Sequence, residues 1–265
     1  EAALRRLTGC DRLLPASDLQ VRSGVLDLGA NQQAVAGVQQ TGGEIRNGTL
    51  RSDTTIDLRA GTVSARLDGS QGLSKTTGGT ATLAGDNLYT GRTAVDDGTL
   101  ALSGAGRLAD ASTLAVRGGI FDLGGQADTV AAVQLASGTI RNGSLTSTST
   151  FDLQSGSASA SLGGSQGLHK TTDGTVTLSG ASTYTGTTTL DGGTLALAGG
   201  NQRLAAGSQA TPHQLVVNTG VLDLFIDETM VQMREMTLGP ASPGGGSLLK
   251  GQELATTFSF LRPND

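Results

Sequence analysis

Residues Gly167 to Leu197 read GLHKTTDGTVTLSGASTYTGTTTLDGGTLAL, and a close copy of this stretch lies 95 residues earlier in the chain. The earlier copy, Gly72 to Leu102, reads GLSKTTGGTATLAGDNLYTGRTAVDDGTLAL. A repeat of this length indicates an array of stacked structural units, because each unit of such an array contacts only its neighbours.

The same register continues outside this stretch. VLDL at 25–28 recurs as IFDL at 120–123, and IRNG at 45–48 recurs at 140–143. A third copy begins with VLDL at 221–224, after a six-residue lengthening that falls in a predicted loop from Asn201 to His213. The sequence therefore predicts one domain over 1–265, divided into unit 19–113, unit 114–214, and a degenerate third unit with a C-terminal cap at 215–265.

The composition favours short β-strands over helices. Aromatic residues make up 3% of the chain, there is no Trp, and 41 residues are Gly. Polar and aliphatic residues alternate in TVTL at 175–178 and TLAL at 194–197, which is the period of a strand. Helical spacing occurs only in two windows, Ala2 to Leu14 and Glu228 to Leu238, where we expect short capping elements.

The long period favours parallel stacking of these strands. Asn47-Gly48 could form a tight turn of an antiparallel hairpin, which would lead to a sandwich or a barrel. Copies at a fixed spacing instead suit a parallel β-helix, in which equivalent aliphatic and threonine positions lie on top of one another. We expect about four turns of this β-helix in each 95-residue unit.

Charge and cysteine content exclude several classes of protein. The formal net charge is −5 and no run of Lys or Arg forms a stripe, so nucleic-acid binding is unsupported. Cys10 is the only cysteine, which leaves no disulfide framework and no cysteine-rich metal site. The sequence has no apolar stretch of 18 residues and no signal pattern at its start.

The two matched stretches resemble the passenger-associated repeat of Gram-negative autotransporters, whose pattern runs approximately GLxKTGxGTLxLxGxNxYxGxTxxxxGTL. The first copy matches it at Gly72, Leu73, Lys75, Thr76, Gly79, Thr80, Leu83, Gly85, Tyr89, Gly91, Thr93, Gly98, Thr99 and Leu100. The second copy matches it at Gly167, Leu168, Lys170, Thr171, Gly174, Thr175, Leu178, Gly180, Tyr184, Gly186, Thr188, Gly193, Thr194 and Leu195.

This resemblance implies an all-β passenger segment with a right-handed parallel β-helix fold. It also implies export to the surface of a Gram-negative bacterium by the protein's own C-terminal outer-membrane β-barrel, outside these residues. We expect a non-catalytic, surface-exposed stem that acts as an adhesin or host-interaction scaffold. Host surface, matrix or serum proteins would be its partners. Two alternatives remain open: a dedicated host-protein ligand for immune evasion, which binds through the side of the β-helix or through residues 201–246, and a β-helical carbohydrate-active enzyme.

The aspartates of the repeat are the sharpest catalytic candidates. Asp27, Asp122 and Asp223 share one repeat position, and Asp57 and Asp152 share another. Paired carboxylates can act as general acid and base in glycan cleavage. A catalytic group should be singular, however, so we expect these repeated carboxylates to point outward into solvent.

Other local patterns have a structural interpretation as well. Residues 163–167 read GGSQG, which matches the nucleophile elbow of α/β-hydrolases, but no helical pattern follows and a turn is expected. Lysines Lys75 and Lys170 and arginines Arg46 and Arg141 occupy equivalent positions, which predicts exposed strand-edge charges.

Tyrosines, histidines and an aspartate pair are three further groups of candidate binding side chains. Tyr89 and Tyr184 are expected to pack against neighbouring turns. His169 and His213 have no metal-ligand companion at a useful spacing, and Asp96-Asp97 lacks the calcium-binding nonapeptide pattern. The sequence therefore predicts no catalytic, cofactor-binding or metal-binding residue and no cofactor.

Overall fold

A computed structural model describes residues 4–6, 13–199, 203–204, 214–224, 235–238 and 247–248. The secondary structure of these residues consists of strands and turns, with no helix among them. The chain divides into two compact units: unit 1 is Glu1–Ala131 with Arg141–Gly143, and unit 2 is Ala132–Ile140 with Ser144–Asp265. The predicted division into 19–113, 114–214 and 215–265 remains a prediction.

Unit 1 is a parallel β-solenoid made of short strands. Its described strands are β1 (Leu4–Arg6), β2 (Asp18–Val21), β3 (Val25–Asp27), β4 (Gln32–Val35), β5 (Gly37–Gln40), β6 (Glu44–Arg46), β7 (Thr49–Ser52), β8 (Ile56–Leu58), β9 (Gly61–Val63), β10 (Arg66–Asp68), β11 (Leu73–Lys75), β12 (Thr80–Leu83), β13 (Arg92–Val95), β14 (Thr99–Leu102), β15 (Thr113–Asp122) and β16 (Ala127–Val130).

The strands of unit 1 stack in rows, and each strand pairs in parallel with the strand one turn away. One row runs β2, β5, β8, β11, β13 and the first half of β15, and a second runs β1, β3, β6, β9, β12, β14 and the second half of β15. A third, shorter row consists of β4, β7 and β10. These pairings confirm the predicted all-β parallel solenoid.

The 95-residue repeat spans five turns of the solenoid, not the predicted four. In the first row the register passes from Leu19 through Val38, Ile56, Leu73 and Thr93 to Leu114, which is the repeat equivalent of Leu19. The prediction was wrong because the glutamine-containing strands β4 and β5 lack the polar and aliphatic alternation that marks the other strands.

The interior of unit 1 is a stack of aliphatic side chains in register. In the second row, Leu26, Ile45, Val63, Leu83 and Leu102 are successive register partners, and all five are buried. Each such side chain contributes about 1.5–3 kcal/mol when removed from water. Threonines on the outer side of the same row also lie in register, as Thr80 and Thr99 show.

Unit 2 repeats this organisation. Its described strands are β17 (Ala132–Arg141, whose last residue belongs to unit 1), β18 (Ser144–Ser147), β19 (Phe151–Leu153), β20 (Gly156–Ala158), β21 (Ser161–Gly163), β22 (Leu168–Lys170), β23 (Thr175–Leu178), β24 (Thr188–Leu190), β25 (Thr194–Leu197), β26 (Gln214–Val217), β27 (Val221–Leu224), β28 (Glu235–Leu238) and β29 (Ser247–Leu248). The strands pair in parallel from one turn to the next.

The two windows with helical spacing contain strands where the structure describes them. Leu4–Arg6 pairs with Val25–Asp27, and Glu235–Leu238 pairs with Gln214–Val217. The prediction of helical spacing was wrong at these residues because the backbone groups of an adjacent solenoid turn offer a complete ladder of hydrogen-bond partners. Leu13 and Leu14 are in neither a helix nor a strand, and the rest of both windows lies outside the described residues.

Asn47-Gly48 forms a corner of the solenoid, not a hairpin turn. Both residues have positive φ, 57° at Asn47 and 55° at Gly48, and they lie between β6 and β7, which belong to different rows. A β-carbon on Gly48 would lie 2.3 Å from the carbonyl oxygen of Asn31, so the neighbouring turn requires glycine here.

Candidate functional site

The repeated aspartates Asp27 and Asp122 bind side chains of the next turn. Asp27 accepts hydrogen bonds from Arg46 Nε at 3.1 Å, Asn47 Nδ2 at 2.7 Å and the backbone N–H of Gly29 at 2.9 Å. Asp27 is 6% exposed, so the prediction that it points into solvent was wrong. The hydrogen bond from Asn47 is the largest of the effects that lower the pKa of Asp27.

Asp122 repeats this arrangement five turns later. Its carboxylate accepts from Arg141 Nε at 2.8 Å, from Asn142 Nδ2 at 3.0 Å and from the N–H of Gly124 at 2.9 Å. Desolvation raises the pKa of Asp122, but the hydrogen bonds of Gly124, Asn142 and Arg141 outweigh it and the pKa is lowered. The predicted strand-edge arginines Arg46 and Arg141 are thus half-buried partners of aspartate.

The second repeated pair, Asp57 and Asp152, lies half-buried on the outer side of the first row. Asp57 accepts from Gln39 Nε2 one turn before it at 3.1 Å, from Thr76 Oγ1 one turn after it at 3.3 Å, and from Arg59 Nε at 2.8 Å. The equivalent partners of Asp152 are Gln134 at 2.9 Å, Thr171 at 3.2 Å and Gln154 at 3.0 Å. The five candidate carboxylates therefore do not come together as acid–base pairs in the described units; Asp223 is half-buried in β27.

The repeated lysines lie inside the solenoid, which overturns their prediction as exposed strand-edge charges. Lys75 and Lys170 are both fully buried. Lys75 Nζ donates to the carbonyl oxygens of Thr77 and, at 3.1 Å, of Asp97 in the next turn. Lys170 Nζ donates to the carbonyls of Thr172 and, at 3.2 Å, of Gly192. Desolvation lowers the pKa of both amines.

Sheet geometry explains why these lysines point inward. Successive side chains of a strand alternate between its faces, so Lys75 shares the inner face with Leu73 while Ser74 faces outward. At the inner position the lysine amine donates hydrogen bonds to backbone carbonyl oxygens of corner residues, which lie outside the paired strands.

Tyr89 and Tyr184 are fully buried, which confirms that they pack against the solenoid interior. The hydroxyl of Tyr89 is 2.7 Å from Thr93 Oγ1, and that of Tyr184 is 2.7 Å from Thr188 Oγ1. Burial raises the pKa of both phenols. The Tyr184 ring also contacts Phe151, with ring centroids 6.3 Å apart.

The GGSQG stretch is a turn, as predicted. It begins at the end of β21, Ser165 is exposed, and the chain continues into strand β22 with no helix. The stretch therefore lacks the strand-to-helix turn on which a nucleophile elbow depends.

His169 binds a carboxylate of the next turn. Its Nε2 contacts Asp191 Oδ2, and Asp191 also accepts from Asn218 Nδ2 at 2.5 Å. The bond from Asn218 and then that from His169 lower the pKa of Asp191. In unit 1 the equivalent of Asp191 is Asp96, which pairs with Arg117 at 2.7 Å.

No cluster of three His, Cys, Asp or Glu side chains suited to a metal ion occurs among the described residues. Cys10, His213 and most of the predicted loop Asn201 to His213 lie outside those residues. The prediction that the chain holds no catalytic, cofactor-binding or metal-binding residue stays a prediction. In the part of the chain that the structure describes, no helix could span a membrane.

One buried polar group was missed by the sequence analysis. Asp128 in β16 is 4% exposed and accepts the backbone N–H of Leu108 at 3.0 Å. The sequence feature that could have revealed it is the 95-residue repeat, in which Asp128 is equivalent to Gln33. Gln33 Oε1 accepts the N–H of Leu13, 20 residues earlier, at 2.8 Å. The change from an amide to a carboxylate concealed that equivalence.

Comparison with known proteins shows that two stretches of the chain match one family of sequence repeats. The passenger-associated-transport-repeat matches at residues 73–102 and 168–197. Over 232 residues the chain is 33% identical to the adhesin BmaC autotransporter of Brucella suis biovar 1, a match that covers 81% of this chain and 7% of that protein.

A second similarity is short. The chain is 60% identical over 48 residues to the poly(3-hydroxyalkanoate) polymerase subunit PhaC of Cupriavidus necator, which covers 18% of this chain and 8% of that protein. The chain thus spans less than a tenth of the length of either curated relative. No solved structure matches the chain.

Proposed function

Because the chain is an autotransporter passenger segment, carried to the surface of a Gram-negative bacterium, we propose that it acts there as a non-catalytic β-helical stem whose outer faces support adhesion. A translocator on the same polypeptide would be its partner in export, and host surface, matrix or serum proteins would be its partners in adhesion. The adhesive role rests on the likeness to a protein named as an adhesin, of which the chain spans 7%.

One observation carries the non-catalytic part of this proposal. The polar side chains that recur in both copies are bound to neighbouring turns: Asp27 and Asp122 to arginine and asparagine, Asp57 and Asp152 to glutamine and threonine, and the lysines to corner carbonyls. Groups used in this way stabilise the scaffold. The similarity to the polymerase subunit covers 8% of that protein and carries no activity to this chain.

The adhesive role can be tested in the full-length protein on its own bacterium. Deletion of residues 73–167 removes 95 residues and joins Gly72 to Leu168, so the register of the solenoid is kept. We expect the shortened protein to reach the surface at the normal level and to bind host cells and matrix proteins less well. Equal adhesion at an equal surface level would overturn the adhesive role of this segment.

A matched control removes residues 73–168, which joins Gly72 to His169 and shifts the register by one residue, so that His169 takes the inward place of Leu73. Because a shift of register moves interior side chains to the outside, this protein should fail to fold at the surface. The non-catalytic part has its own test, which is incubation of the purified chain with neutral and acidic glycans. Cleavage that is lost in Asp57→Asn and Asp152→Asn variants would contradict it.

A further inference from the structure

Three turns of unit 1 contain the same kind of hydrogen bond. A side-chain oxygen accepts the backbone N–H of a leucine about 20 residues earlier in the chain: Gln33 accepts from Leu13 at 2.8 Å, Asn87 from Leu67 at 3.0 Å, and Asp128 from Leu108 at 3.0 Å. The three accepting residues are buried. Each oxygen replaces the carbonyl that a paired strand would supply.

Asp128 is the only one of these three acceptors that can lose a proton. Asn87 also donates, from Nδ2 to the carbonyls of Gly85 at 3.0 Å and Arg107 at 2.8 Å. An ionised carboxylate can only accept, whereas its protonated form has one O–H donor and so resembles the amide. Burial without a bound cation is costly for the ionised form.

The charged groups around Asp128 in unit 1 do not neutralise it. Arg107 lowers its pKa and Asp110 raises it, and both belong to the segment that contains Leu108. Arg107 is itself paired with Asp86, at 3.5 Å. The phenol of Tyr89, about two turns earlier, is neutral and its own pKa is raised in part by Asp128. The other oxygen of Asp128 accepts the N–H of Thr129 at 3.0 Å.

We propose that Asp128 is a proton-operated latch, in which protonation of the buried carboxyl tightens the corner between Leu108 and β16 in mildly acidic medium. Desolvation is the main cause that raises its pKa to about 6 from the ordinary 3.8. The closed corner therefore binds a proton that the opened corner releases between about pH 4 and pH 6. The closed corner becomes more stable relative to the opened corner as the pH falls through this window. Above the window, proton binding adds nothing to the stability of the closed corner.

Hydrogen exchange at single amides tests the latch in the intact chain. After correction for intrinsic exchange rates, the opening constant at the Leu108 amide should fall by about 30-fold from pH 7.5 to pH 4.5, as linkage gives for a pKa of about 6 in the closed corner and 3.8 in the opened corner. The Leu67 amide, which is held by Asn87, should show no such change. An equal pH response at both amides, or none at Leu108, would overturn the proposal.

Two substitutions move the effect between turns. Asp128→Asn should abolish the pH response at Leu108, and Asn87→Asp should create one at Leu67. If either variant fails to fold, the proposal can still be tested in the unmodified chain by following the carboxyl ¹³C chemical shift of Asp128 as a function of pH. A midpoint near pH 6 supports the latch, and a midpoint near the ordinary 3.8 overturns it.

Discussion

Lys75 Nζ lies 2.6 Å from the point that a β-carbon on Gly98 would occupy. Gly98 has a φ of 63°, and the carbonyl oxygens of Thr77 and Gly79 would lie 2.2 and 2.4 Å from the same β-carbon. In the second copy Gly193 has a φ of 64° and is enclosed by the carbonyls of Gly174 and Thr172. The lysine and the last glycine of the repeat motif are therefore two parts of one corner.

Replacement of Gly98 by alanine should open this corner. The left-handed backbone and the three close atoms leave no room for a β-carbon, so we expect Gly98→Ala to lower the free energy of unfolding by about 2–3 kcal/mol. Gly78→Ala is the matched control, because its β-carbon would meet only Asp97 Oδ2 at 4.0 Å. Urea denaturation of both variants checks the prediction, which equal stabilities would contradict.

Burial of the lysines predicts protection from amine-reactive reagents. In the native chain, Lys75 and Lys170 should resist acetylation by an N-hydroxysuccinimide ester, because both side chains are fully buried. In 8 M urea, about the concentration that unfolds most domains, both should react at the rate of free lysine. Peptide mass spectrometry measures the modified fraction at each site, and fast native labelling would restore the exposed strand-edge interpretation.

The same burial makes the stability depend on pH in the alkaline range. Desolvation lowers the pKa of Lys75 and Lys170, so the unfolded chain binds more protons than the folded chain just below pH 10.5. The free energy of unfolding should therefore rise with pH as the pH approaches 10.5 from below. A Lys75→Met, Lys170→Met double variant should lose this rise; a rise that persists in the variant would assign it to other groups.

The solenoid itself could be predicted because its rules are local. Alternation of Thr and Leu in residues 80–83 and 99–102 gives both the strand and its buried face, and the 95-residue spacing gives the parallel register. The number of turns could not be obtained in the same way. Strand β5 carries two glutamines, and Gln40 is buried because its amide donates to the carbonyls of Gly43 and Thr62.

Side chains were mispredicted where residue type was given more weight than strand alternation. Alternation alone puts Lys75 on the inner face with Leu73, yet the usual exposure of lysine favoured the opposite prediction. Asp27 was mispredicted because its partners, Arg46 and Asn47, come from the next turn. Which residues lie next to Asp27 depends on the number of residues in one turn, and the 95-residue period alone does not give that number.

The hydrogen bond between Tyr89 and Thr93 should be measurable by a double-mutant cycle. Tyr89→Phe removes the hydroxyl and leaves the buried Thr93 Oγ1 without this partner, at a cost of about 1–2 kcal/mol. In a Thr93→Val background the same change should cost less, with a coupling energy of about 1 kcal/mol. Thermal unfolding of the four proteins gives the coupling, and additive effects would show that the two hydroxyls do not interact.

The second copy carries a defect that the first copy shows how to repair. Ser182 is the repeat equivalent of Asn87, but its buried Oγ makes no hydrogen bond, whereas Asn87 bonds to Leu67, Gly85 and Arg107. We expect Ser182→Asn to raise the free energy of unfolding by about 1 kcal/mol, because the longer side chain reaches the N–H of Leu162, the equivalent of Leu67. The reverse change, Asn87→Ser, should destabilise unit 1 by at least as much, since it leaves the Leu67 N–H without its acceptor. Urea denaturation of both variants decides the matter, and a destabilised Ser182→Asn protein would mean that the second corner has no room for the amide.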